Sequence, residues 1–136
     1  MVDDSDGFGQ PLLASQLFAA ETFATRLSRR DGVAWLAMGG ELDAFTAPRL
    51  REALEQEGLD DTGSLVLDLR GLAFLDSSGL AVILGFHERR ERAGAEPVRL
   101  VIQGSGPVEA LFETIAADDY LDVVADPAEL HGVSGR

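Results

Sequence analysis

The sequence predicts an α/β fold: one domain on a mixed sheet, with an antiparallel edge hairpin, mostly parallel strands and packed α-helices. Three observations predict it. Short runs with strand-like alternation recur between longer runs of helical period. Their order is strand-strand-helix-strand-helix-strand-helix-strand, and strands that alternate with helices pair in parallel through right-handed crossovers. The 136 residues, 46% hydrophobic and 26% charged, fit one domain with a core of its own.

Residues 1–21 read as a flexible N-terminal extension, 22–130 as the domain and 131–136 as a C-terminal tail. "MVDDSDGFGQP" has the acid, glycine and proline content of a tail. "LLASQLFAA" suits a short helix or a strand equally. "TFATRLS" alternates around Phe23, Thr25 and Leu27, Asp31-Gly32 is a hairpin signal, and "VAWLAMG" returns as the second strand. Thr46 is placed to cap a helix that tolerates Pro48 in its first turn, buries Leu50, Ala53 and Leu54, and stops at Gly58. "SLVLDLRG" is a strand with Leu65, Leu67 and Leu69 on one face and Val66 and Asp68 on the other. "SSGLAVILGFHERRERAG" is a long helix, with arginines at its negative end and Gly94 beyond. "PVRLVIQG" is a strand. Ser105 caps the next helix, which buries Val108, Leu111, Phe112 and Ile115. "YLDVVAD" is the last strand, and "PAELHGVSGR" gives at most a short helix or a frayed end.

The composition excludes several functions. The net charge is -13, from 24 acidic and 11 basic residues, and such a surface repels nucleic-acid backbones and anionic lipid. Every basic residue is arginine, so a P-loop lysine, a Schiff-base lysine and a switch lysine are all missing. There is no cysteine, hence no disulfide, thiolate nucleophile or cysteine metal site, and a reducing cytoplasm is compatible. The apolar runs are short, and the acidic N-terminus does not resemble a signal peptide.

The stretch that carries chemistry is "LAFLDSSGLAVILGF", where a carboxylate and two hydroxyls interrupt two apolar runs. Ser77 at the start of the helix is an N-cap candidate worth roughly 1 kcal/mol, which needs no function. Yet Asp76, Ser77 and Ser78 together exceed what one cap needs. Gly79 in the first turn costs about 1 kcal/mol against alanine and suggests clearance for another molecule. Val82 and Phe86 lie off the face formed by Leu80, Ile83 and Leu84. Either the helix is buried on more than one side, or its apolar turns, Leu80 and Val82 among them, leave a patch for a partner. A phosphate on Ser77 would sit at the helix's positive end and change the local charge more than the backbone.

"GGELDAFTAPRLREAL", "LVLDLRGLAFLDSSGLAVILG" and "VEALFETIAADDYLDVV" together resemble the STAS domain, and within it the bacterial anti-sigma factor antagonists. The resemblance covers about residues 22–129. It implies that Ser77 is phosphorylated by a partner kinase, itself the anti-sigma factor. The unphosphorylated protein would bind that factor and free a sigma factor for transcription, and a serine phosphatase would restore it. Asp76 and Asp43 would help position the partner or its metal-nucleotide complex, with Ser78, Gly79, Leu80 and Val82 in the contact surface. The kinase brings ATP, magnesium and base, so this chain needs no cofactor, no metal and no catalytic residue.

Two other readings compete. A Ser77–His87–Asp triad fails on distance, because ten residues of helix separate the two by about 15 Å, and His131 falls in the tail; His87 reads as a boundary residue. Asp60, Asp61, Asp118 and Asp119 lack EF-hand spacing and read as solvated loops. Within the same fold, the alternative is a STAS accessory subunit, scaffold or ligand sensor, for example of a lipid transporter, without a phosphorylation switch.

Overall fold

The computed structural model describes residues 7–17, 21–56, 58–59, 63–103, 106–114 and 121–124. Five strands form one sheet in the order β1-β2-β3-β4-β5. They are β1 (Phe23–Arg30), β2 (Val33–Leu42), β3 (Ser64–Leu75), β4 (Arg99–Val101) and β5 (Asp122–Val124). Helices α1 (Ala47–Gln56), α2 (Ser77–Arg92) and α3 (Pro107–Thr114) make the crossovers. The β1–β2 pair is antiparallel, and every later pair is parallel. This is the mixed α/β architecture expected from the element order.

The hairpin turns where Asp31-Gly32 predicts it. Both residues have positive φ, 52° and 80°, which matches the twist of the flanking strands. β3 is longer than "SLVLDLRG" suggests: it runs unbroken through the second apolar run to Leu75, directly before Asp76. Ser105, Ile115, the four loop aspartates, His131 and the C-terminal segment lie outside the described residues.

The strand period divides the core in two. Phe23, Leu36, Met38, Leu65, Leu67 and Leu69 face the helices and pack with Leu50, Leu54, Ile83, Phe86, Val108 and Phe112. Val33, Trp35, Ala37, Val66 and Val101 face the other way. That second face is covered by the N-terminal segment. Phe8 and Leu12 are buried there, with the Phe8 and Trp35 ring centroids 5.3 Å apart. Residues 7–17 therefore differ from the flexible extension expected of their composition: two apolar anchors outweigh a polar, glycine-rich background. Residues 14–16 form the only regular piece of this segment, a single 3-10 turn.

Two charged side chains are fully buried in structural roles. Arg90 is one of the arginines that end α2. Its guanidinium turns inward and donates to the carbonyls of Leu59 (2.8 Å), Gly63 (2.7 Å) and Glu96 (2.8 Å). It ties the α1–β3 connection to the approach to β4. Asp68, on the second face, accepts from Trp35 Nε1 at 3.2 Å and from Arg70 Nη2 at 2.7 Å. Both groups are paired, as burial of charge demands.

Candidate functional site

The parallel strands β2 and β3 end side by side, and their C-terminal ends open into two loops. An open α/β sheet gathers its sites at this edge. The backbone N–H of Asp76 donates to the carbonyl of Leu42 at 3.2 Å, so the loop carrying Asp43 is tied to the loop carrying Asp76. Sequence reasoning placed both aspartates at one site, and the sheet brings them together.

Asp76, not Ser77, is the N-cap of α2. Its backbone is extended, and its carboxylate Oδ1 accepts from the N–H of Ser78 at 2.9 Å and of Gly79 at 3.2 Å. Ser77 is thus the first helical residue. It is exposed, and among the described residues its hydroxyl makes no hydrogen bond. Ser78 follows half-buried. The expectation that Ser77 caps the helix is corrected: a carboxylate one residue earlier does it with a stronger, charge-assisted acceptor. The Ser77 hydroxyl is left to solvent.

Gly79 is also corrected. A Cβ placed on it would lie 2.9 Å from Leu42 Cδ2 and 2.9 Å from Leu75 Cδ1. The missing side chain clears room for this chain's own core, not for a second molecule. Leu80, Val82 and Phe86 are buried as well. Of the two options left open for α2, burial on more than one side is the one realised. Leu80 and Val82 belong to the core and do not present an apolar patch.

Asp43 opens a turn of its own. Its Oδ1 accepts from the N–H of Phe45 at 3.0 Å and of Thr46 at 3.1 Å. Thr46 stands before α1 as expected, but its hydroxyl turns backward. It donates to the carbonyl of Glu41 at 2.8 Å and accepts from the N–H of Asp43 at 2.9 Å. The turn therefore holds a fixed shape, and it displays Phe45, a residue 91% exposed. Phe74, near the end of β3, is 46% exposed. Sequence reasoning missed both aromatics. The available signal was Phe45 itself, since a phenylalanine directly before a helix cap lies outside either strand's alternation.

His87 lies on α2 as expected of a boundary residue, buried, with Nε2 3.6 Å from Glu91 Oε2. It shares no contact with Ser77. Among the described residues no helix is long and apolar enough to cross a membrane.

The site is therefore an exposed serine at a capped helix start, an adjacent carboxylate, and a rigid turn that carries an exposed ring. The chain as a whole has counterparts among known proteins. STAS domain proteins match residues 24–129 as a family. The anti-sigma-B factor antagonist of Listeria monocytogenes is 34% identical over 97 residues, which cover 70% of this chain and 82% of that protein. A crystal structure of an anti-sigma factor antagonist from Mycobacterium paratuberculosis superposes with a TM-score of 0.69 at 24% identity, over 82% of this chain and 93% of that one. The Bacillus cell fate determinant SpoIIAA in its phosphorylated form superposes with a TM-score of 0.53 at 17% identity, over 74% and 91%. By the family match and by this sequence identity, the chain belongs to the STAS domain family.

Proposed function

We propose that the chain is an anti-sigma factor antagonist switched by phosphorylation at Ser77. In the unphosphorylated form it binds an anti-sigma factor, which is also its serine kinase, and so frees a sigma factor for transcription. A serine phosphatase reverses the modification. The protein is a binding module and phosphoacceptor in the cytoplasm, not an enzyme. The observation that carries this reading is the division of labour at the start of α2: Asp76 does the capping, and Ser77 is exposed with no structural bond to lose.

The electrostatics suit a switch. A phosphate on Ser77 would add nearly two negative charges beside the Asp76 carboxylate. That carboxylate already takes the N–H groups of Ser78 and Gly79. The helix's positive end therefore offers the phosphate little that is not in use, and the two anions repel. The main effect falls on the surface that a partner meets. The relatives' names support the same partner class, and SpoIIAA is described in a phosphorylated form.

Incubation with the host's anti-sigma serine kinases and ATP, followed by mass spectrometry, is expected to place one phosphate on Ser77 and none on half-buried Ser78. No phosphate on Ser77 with any of them would sink the switch. By calorimetry, Ser77→Asp should weaken anti-sigma binding at least about tenfold, roughly 1.4 kcal/mol, while Ser77→Ala should keep it.

A further inference from the structure

The sheet's second face holds an arrangement that the switch does not use. Its floor is apolar: Val33, Trp35, Ala37, Val66 and Val101. Its rim carries three arginines, one of which, Arg70, is paired with the buried Asp68. Arg26 and Arg30 project from β1 on the positions that alternate with the core, and Arg70 projects from β3. All three rim arginines grip residues 7–17. Arg26 Nη2 donates to the carbonyls of Gln10 at 3.1 Å and Pro11 at 3.3 Å, and Arg70 Nη2 donates to that of Gly9 at 2.9 Å. The Arg30 guanidinium lies 4.6 Å from the Phe8 ring centroid.

The sheet is shaped for this segment. Gly39 and Gly71 face each other across β2 and β3, and together they form a slot for the carbonyl of Leu12. A Cβ on Gly39 would lie 2.5 Å from that oxygen, and the three nearest atoms all belong to Leu12. The segment is nevertheless held lightly. It adds no strand to the sheet, and only Phe8 and Leu12 are buried. A cleft of about 540 Å³ remains beside it, lined by Gly7, Gln10, Leu13 and Arg26 among others. Among the described residues Arg26 Nε is buried with no hydrogen-bond partner. Segments with few buried contacts open at low free energy.

The slot also lies on the path to the site. The β2–β3 register shifts between Ala37 and Gly39 and again between Gly40 and Glu41. Leu42 and Leu75 pair immediately afterwards, and Asp43 and Asp76 follow them.

We propose that the second face is a peptide-docking groove, with an apolar floor and an arginine rim, that residues 7–17 occupy as a releasable strap, and that strap docking is coupled through the Gly39–Gly71 slot to the Asp43 and Asp76 loops. The strap is the groove's occupant in this chain. The groove's chemistry selects an extended segment that turns its carbonyls to the arginines and supplies an aromatic anchor. This inference does not depend on the phosphorylation switch.

The test uses the full chain, and its reporter is built in, because Trp35 is the sole tryptophan and Phe8 covers it. Two variants attack the contact from opposite sides. Gly39→Ala fills the slot from the sheet, and Phe8→Ala removes the anchor from the strap without touching the sheet. Each should shift Trp35 emission to the red and raise its quenching by iodide. In hydrogen exchange, amides of residues 8–17 should exchange about tenfold faster or more, with the amides of Asp43–Thr46 and Ser77–Leu80 accelerated in step. A synthetic peptide of residues 1–17, added to the Phe8→Ala chain, should return the emission towards wild type. Unchanged Trp35 emission and strap exchange in both variants would overturn the releasable strap. Strap release with no change at the two loops would overturn the coupling. Failure of the peptide to restore the emission would overturn the docking groove.

Discussion

At the end of β2, Asp43 folds its carboxylate back onto the amides two and three residues ahead. At the end of β3, Asp76 does the same. The bonds match in pattern and nearly in length, and the two loops are themselves joined by a backbone bond. What differs is the residue on display. Asp76 leads straight into a helix, so the residue behind it, Ser77, becomes a first-turn side chain pointing to solvent. Asp43 leads into one extra turn, and Phe45 is exposed at its apex. One local device, an aspartate satisfying free amides, displays a hydroxyl in one loop and an exposed ring in the other.

Phe45→Ala separates these roles most sharply. A rigidly held, exposed aromatic has the features of an interface hot spot, so its loss should weaken anti-sigma binding by roughly 2 kcal/mol. With the residue 91% exposed, thermal stability should stay within about 0.5 kcal/mol of wild type. Calorimetry and a melting curve read the two effects. Unchanged affinity would leave the Asp43 loop a structural turn only. Gly79→Ala tests the opposite property of the second loop. The new methyl meets Leu42 and Leu75, and overpacking should cost about 1–3 kcal/mol in urea unfolding. A neutral result would restore Gly79 as open space near the partner.

These particulars show what could be read in the sequence. The element order, the hairpin turn and the parallel pairing of the later strands follow from local pattern, and the neighbouring loops of Asp43 and Asp76 from the family resemblance. Three features did not. Val82 and Phe86 left two options open, burial on a second side or a patch for a partner, because helical period alone cannot say that a helix is packed on two sides. Gly79 looked like clearance because its neighbours in space, Leu42 and Leu75, come from different strands. Residues 7–17 looked like a tail because composition averages over the segment, whereas its burial rests on Phe8 and Leu12 alone. Each of these depended on contacts distant in sequence, and no window of neighbouring residues reports such contacts.

The matched caps invite a matched pair of variants. Asp76→Ala and Asp43→Ala should each cost about 1 kcal/mol of stability, and the corresponding asparagine variants only a few tenths. The measurement is chemical denaturation of all four. If Asp43→Ala costs nothing while Asp76→Ala costs its full cap, the two loops share a drawing but not an energetic role. The Thr46 hydroxyl, bonded to both Glu41 and Asp43, would then be what holds the first turn.

The smallest effect is the most discriminating. If Ser77 were the cap, Ser77→Ala would cost about 0.5–2 kcal/mol. With Asp76 in that role, the change removes an exposed hydroxyl from the first helical position, and the loss should stay below about 0.5 kcal/mol. The comparison tightens in a double-mutant cycle with Asp76→Ala. Two side chains that share the cap would couple, because each could stand in for the other at the amides of Ser78 and Gly79. Side chains with separate duties should add within about 0.3–0.5 kcal/mol. Additivity would mean that the acceptor hydroxyl can be modified, removed or replaced while the helix start stays intact, which a reversible switch at this position requires. Strong coupling would mean that phosphorylating Ser77 also takes apart the turn that presents it.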